Sequence, residues 1–144
     1  MTQDAEMKDQ NYSSGVASFE AKNFSMAIQF LSPIADAGNP DAQHRVAIMY
    51  QNGLGMVRNE AQAYKWMKAA AEQGLAIAQH GLGFMYMDGD CVDKNGAKAV
   101  EWFSRAADQG LIGSMTTLAM MYESGDGVDK DPEKAKQLYA KAGF

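Results

Sequence analysis

Residues Leu75–Gly110, LAIAQHGLGFMYMDGDCVDKNGAKAVEWFSRAADQG, read as two helices with clear punctuation between them. Gln79, Leu82, Gly83, Met85 and Tyr86 fall on one helical seam of i, i+3, i+4 and i+7 spacing, which predicts a first helix over about Leu75–Asp88. Gly89 breaks it, Asp90–Lys94 turn, and Asn95 stands where a side-chain oxygen caps the next helix by accepting from an orphan backbone N–H. Ala99, Trp102, Phe103 and Ala106 mark the inner face of that second helix. Gly110 ends it, because a helix closes readily on a left-handed glycine.

The same block recurs on both sides at a spacing of 36. Gly38, Gly74 and Gly110 keep it, as do Tyr50, Tyr86 and Tyr122; Gly53, Gly89 and Gly125; and Ala63, Ala99 and Ala135. A fixed period of this length signals a helical solenoid, in which each unit buries its apolar face against its neighbours. Asn59, Asn95 and Asp131 share one column and are all good caps. Pro132 after Asp131 and Pro40 after Asn39 sit where a missing N–H costs nothing. The small residues Ala47, Gly83 and Ala119, with Ala70, Ala106 and Ala142 on the partner helices, let backbones approach. Tyr50, Tyr86, Tyr122, Trp66 and Trp102 fill the space between.

The opening segment is a variant unit. Gly15, Phe19, Phe24, Ala27, Phe30 and Leu31 predict two helices joined by a tight turn at Lys22-Asn23, with Pro33 bending or loosening the last turn of the second. The expectation is an all-α chain of four helix-turn-helix units and eight helices, one solenoid domain divided as 1–36, 37–72, 73–108 and 109–144.

Composition narrows the function classes. The 144 residues, 47% apolar with three prolines, suit an ordered domain of ordinary size. A net charge of −5 with no basic stripe disfavours nucleic acid, and no charge run suggests a polybasic membrane tether. No apolar stretch is long enough to span a bilayer. Cys91 is the single cysteine, so no intramolecular disulfide forms. Met1–Gln10 lacks the apolar core of a signal peptide, and the expected location is cytoplasmic, or periplasmic or secreted if a leader has been removed.

These residues resemble a known family. Ala78 to Tyr86 as Ala-x(3)-Leu-Gly-x-Met-Tyr, then Gly89, Ala99-x-x-Trp102-Phe103 and Ala106-Ala-Asp-Gln-Gly110, is similar to the Sel-1-like repeat, a relative of the tetratricopeptide repeat. Ala119–Tyr122 with Gly125-Asp-Gly-Val128 and Asp131 matches again, and Glu72-Gln73-Gly74 repeats the unit ending. The resemblance covers Ala37–Phe144, while Gly15–Asp36 resembles a shorter tetratricopeptide-like opening unit. It implies a right-handed α-solenoid whose first helices line a concave side, and a bacterial adaptor that scaffolds other proteins. Cys91 departs from the pattern, standing where Gly55 and Gly127 stand, so a differently shaped loop is expected there. The disulfide staple of the cysteine-rich branch is not carried over, nor is any penicillin-binding activity.

Two columns on the first helices are candidates for a partner site. His44, His80 and Thr116 share one position and are expected on the exposed face; a histidine there titrates near ~6.5. A shared metal is disfavoured, because packed helices sit ~8–10 Å apart and zinc needs each nitrogen within ~2.1 Å. Ile48, Phe84 and Met120 form an apolar row one turn further on, with Gln51, Asn52, Met87, Asp88, Glu123 and Ser124 as a polar margin. Such a row can hold the side chains of a peptide, or can be covered by neighbouring helices. Of the eleven methionines, Met49, Met85 and Met121 read as core filler, and Met56, Met87 and Met120 as exposed without the cluster copper needs.

The Gly53-Leu-Gly55 and Gly125-Asp-Gly127 segments follow helices, which is not the context of a phosphate loop. Asp126, Asp129 and Asp131 have calcium-loop spacing without the bidentate twelfth ligand. No catalytic residue, metal or cofactor is expected. The expected partner is a protein or peptide in the concave groove; the alternative is self-association through the last helix, where Leu138, Tyr139 and Phe144 lie.

Overall fold

The computed structural model of the chain describes residues 2–144, of Thr2 the backbone alone; Met1, where the expected opening unit begins, lies outside them. The described residues form eight helices and no strand. They are α1 (Thr2–Glu20), α2 (Phe24–Asp36), α3 (Pro40–Asn52), α4 (Glu60–Glu72), α5 (Ala76–Asp88), α6 (Gly96–Asp108), α7 (Ile112–Ser124) and α8 (Pro132–Lys141). The helices resolve into two compact units, one ending at Gln73 and holding α1–α4, the other running from Gly74 to Phe144 and holding α5–α8.

Capping explains most of the helix bounds. Asn39, Asn59, Asn95 and Asp131 each accept from the backbone N–H three residues on, at Ala42, Gln62, Lys98 and Lys134. Gly53, Gly89 and Gly125 close α3, α5 and α7 in the left-handed conformation, and their N–H groups donate to the carbonyls of Met49, Met85 and Met121. The backbone N–H groups of Asn59, Asn95 and Asp131 then return to the carbonyls of Tyr50, Tyr86 and Tyr122 at 3.0, 2.8 and 2.8 Å. Each tyrosine column thus marks a carbonyl that the following loop must find.

In the first unit, buried Ala27, Leu31, Ala35, Ala42, Val46 and Met49 make one core, flanked by half-buried Tyr12, Val16, Phe19 and Trp66. In the second unit the buried set includes Leu82, Gly83, Trp102, Phe103, Ala106, Leu118 and Ala119. The Gly83–Phe103 fit is tight: a Cβ built on Gly83 would stand 2.7 Å from the Phe103 ring. The chain approaches itself more closely still where Gly127, in the loop after α7, meets Gly96, the first residue of α6. A Cβ on Gly96 would stand 2.4 Å from the Gly127 Cα, well inside van der Waals contact. In the first unit, Gly55 meets the start of α2 in the same way, with Phe24 and Ser25 within 2.8 Å of its added Cβ. Loop glycines therefore serve inter-pair packing.

One expectation changes. Cys91 does not reshape its loop: its φ of 68° matches 72° at Gly55 and 77° at Gly127, so the cysteine adopts the left-handed conformation its glycine counterparts use. Pro33 lies inside α2. The helix continues to Asp36 and closes with Ala37 N–H on the Pro33 carbonyl at 3.0 Å and Gly38 N–H on Ala35.

Candidate functional site

In the first unit, α3 carries His44, Ile48 and Gln51, all half-buried, and exposed Asn52. Asn52 donates back to the Ile48 carbonyl at 3.1 Å, and the Gln51 carbonyl accepts from Arg58 Nε at 2.8 Å. His44 is not on an exposed face as the sequence suggested. Burial lowers its pKa below the ordinary histidine value; Asp41 opposes that shift and Arg45 adds to it. Arg45 is held by Asp41 at 3.0 Å and lies over the Phe19 ring, so α3 meets the opening pair through a charged side chain with an aromatic seat.

In the second unit the equivalent histidine is built into the packing. His80 Nδ1 lies 2.7 Å from the hydroxyl of fully buried Ser114, and its ring meets Phe84 and Phe103 edge-on at 4.8 and 5.5 Å. Desolvation lowers its pKa. The small Gly113 on α7 lies against the ring. Thr116, which takes the column's place on α7, is half-buried and gives its hydroxyl to the Gly113 carbonyl at 3.0 Å. The histidine column is therefore a packing column, because neighbouring helices cover the side that a single-helix pattern leaves open.

The apolar column behaves differently. Phe84 and Met87 on α5 are half-buried, and Met120 on α7 is 60% exposed. Together with Met121 and Thr117 they line a cleft of about 740 Å³ between α5 and α7, with Glu123, Ser124 and Asp126 as its polar lining. Glu123 accepts from the Tyr139 hydroxyl at 2.9 Å, which fixes the carboxylate at the rim and raises the phenol's pKa. Asp88 follows Met87 and is exposed. Eight of the sequence-derived residues, His80, Phe84, Met87, Asp88, Thr116, Met120, Glu123 and Ser124, thus lie on the facing helices of one unit.

A second cavity, of about 620 Å³, lies in the first unit between α1 and α2. Tyr12, Phe30, Pro33, Ile34 and Ala37 give it apolar walls, and Lys8, Asp9, Asn11, Gln29 and Asn39 its polar edge. Tyr12 is pinned by its hydroxyl to Asp41 at 2.6 Å, and burial with that bond pushes its pKa to about 12. The sequence carried no signal for it, because α1 shares no column with the later helices.

The order of these elements, with paired helices, a cap column and a glycine-closed loop at a period of 36, is matched by one known repeat. The Sel1 repeat profile fits residues 12–39, 40–75, 76–111 and 114–143. The chain belongs to the Sel1 repeat family. The Sel1 profile takes in the opening unit as well, at 12–39, although its loop between helices is shorter. Among solved structures, a protective antigen of uropathogenic Escherichia coli strains displaying an SLR fold is 31% identical, with a TM-score of 0.90 over 96% of this chain and 31% of that one. A Sel1 repeat protein from Oxalobacter formigenes is 33% identical, with a TM-score of 0.85 over 91% of this chain and 54% of that one. Helicobacter pylori cysteine rich protein B shares the fold at 21% identity, TM-score 0.63, over 81% of this chain and 83% of that one. The chain spans about a third and about half of the first two proteins. No curated protein sequence matches it.

Sel1 repeats are, as a family, protein–protein interaction modules. No helix among the described residues is long and apolar enough to cross a membrane. Nor do three His, Cys, Asp or Glu side chains converge among them as a metal site requires. The two Gly-x-Gly segments are helix closures and contacts between helix pairs, and Asp131 is the cap of α8.

Proposed function

We propose that this Sel1 repeat chain is a non-catalytic adaptor that binds a peptide or protein segment on the first helices of its repeats, in the cleft between α5 and α7. The observation that carries the reading is Met120. It is 60% exposed in the column whose other second-unit member, Phe84, is packed, and it stands at the mouth of a cleft walled by Phe84, Met87 and Met121. An apolar side chain entering there would leave water against flexible thioethers, which adapt to different shapes. His80 supports the wall from behind by its bond to Ser114 and its edge contacts to both phenylalanines.

Self-association through α8 ranks second. Phe144 is 81% exposed and meets Tyr139 edge-on, but Leu138 and Tyr139 are half-buried, so α8 offers little apolar surface.

Photo-crosslinking from Met120, with a crosslinking amino acid placed there in cells that produce the chain, tests the reading. A discrete cross-linked protein from Met120, missing when the crosslinker replaces the exposed Val57, is the expected result. Equal labelling from both positions, or none from Met120, would overturn it.

A further inference from the structure

We infer that the segment bound in the α5–α7 cleft carries an apolar anchor beside one or more basic residues. This rests on the cleft being the binding site, and it names the chemistry of the occupant. Both ionisable side chains that line the cleft are acids, Glu123 and Asp126, and both lie at its C-terminal end. Asp88, exposed and next to Met87 in the sequence, is also an acid. No lysine or arginine lines it. The nearest base in the same loop, Lys130, lays its stem against Gly125 and does not enter the lining. Burial lowers the pKa of His80, behind Phe84, and so disfavours a positive charge there that would offset the acids.

The geometry separates the two halves of recognition. Phe84, Met87 and Met121 offer an apolar floor, and the lining hydroxyls of Thr117 and Ser124 already donate to the carbonyls of Gly113 and Met120. The charge sits at one end, and the Glu123 carboxylate is held in place by the Tyr139 hydroxyl, so it is presented without first being ordered. An acidic anchor-flanking residue would bring like charges together at that end, whereas a lysine or arginine meets a carboxylate whose second oxygen is available for a charge-assisted bond. The chain's net charge of −5 favours the same partner at long range.

The test selects short peptides from a random library on the immobilised full chain, then measures selected peptides against wild type, Met120→Asp and the double variant Glu123→Gln/Asp126→Asn. Glu123→Gln keeps an acceptor for Tyr139, so the rim retains its geometry. The expected result is enrichment of lysine or arginine beside an apolar residue, with affinity lost by about tenfold in the double variant and falling as salt rises. Selected peptides that lose binding in Met120→Asp but show neither basic enrichment nor a response to the double variant would overturn the charge inference and leave the cleft intact. Peptides indifferent to Met120→Asp would overturn the cleft itself.

Discussion

Gln109 Nε2 donates to Gln79 Oε1 at 2.9 Å and, with its other hydrogen, to the Gly74 carbonyl at 2.8 Å. One amide thereby ties the end of α6 to the body of α5 and to the glycine that precedes it. Gln73 does the same in the first unit, reaching Gln43 Oε1 at 2.8 Å and the Gly38 carbonyl at 2.9 Å. Gln43 passes the contact on, since its own Nε2 donates to the Ala35 carbonyl. Met115 stands at the matching position of α7, where this device stops.

Gln109→Ala removes both bonds and should lower unfolding free energy by about 1–2 kcal/mol. Gln109→Glu should cost more at neutral pH, because a carboxylate faces two acceptors, and should regain stability as acid protonates the introduced group. Urea melts of both variants at neutral and acid pH check this, and equal midpoints for the two at neutral pH would count against the bond assignment.

Cys91→Gly should stabilise the chain. Cys91 holds a φ of 68°, a conformation that costs a residue with a Cβ about 1–2 kcal/mol and costs glycine nothing. Glycine also frees the unfolded chain, so the expected net gain is about 1 kcal/mol. A thermal melt that falls after this substitution would show that the Cys91 side chain contributes more than its backbone strain removes.

Gly83→Ala tests a tight side-chain fit in the second unit. Its Cβ would press on fully buried Phe103, so a loss of about 1–3 kcal/mol is expected. Gly83→Ala combined with Phe103→Leu should lose less than the two single variants summed, since the smaller side chain yields room. Strict additivity would place the strain elsewhere.

The two histidines give stability a pH dependence with a definite sign. Burial lowers the folded-state pKa of His44 and His80 below 6.5, so the unfolded chain binds protons that the folded chain refuses. Their contribution is complete above pH 6.5 and is lost as pH falls towards their folded values. Denaturant midpoints between neutral and mildly acid pH should therefore fall, and His80→Gln should flatten the fall. An unchanged slope in that variant would contradict the burial of His80.

The helix pairs were legible because their signals are local. Asn39, Asn59, Asn95 and Asp131 cap the helices that follow them, and Gly53, Gly89 and Gly125 close the helices that precede them, each within a few residues of sequence. The site was half legible. The column of Ile48, Phe84 and Met120 pointed to the cleft, but which members stay open depends on the facing helix, and only Met120 is exposed. His80 was misplaced for the same reason: its partner Ser114 lies on another helix, 34 residues away. Tyr12 and Asp41, 29 apart and outside any shared column, left no trace in the pattern.

The claim that the α5–α7 cleft receives the partner is tested most directly by methionine methyl NMR during titration with a selected peptide. Met87, Met120 and Met121 line the cleft, whereas exposed Met7 and Met26 lie on α1 and α2. Binding in the cleft shifts the first three resonances together and leaves Met7 and Met26 in place. Shifts at Met7 or Met26 with the cleft methionines unmoved would contradict it.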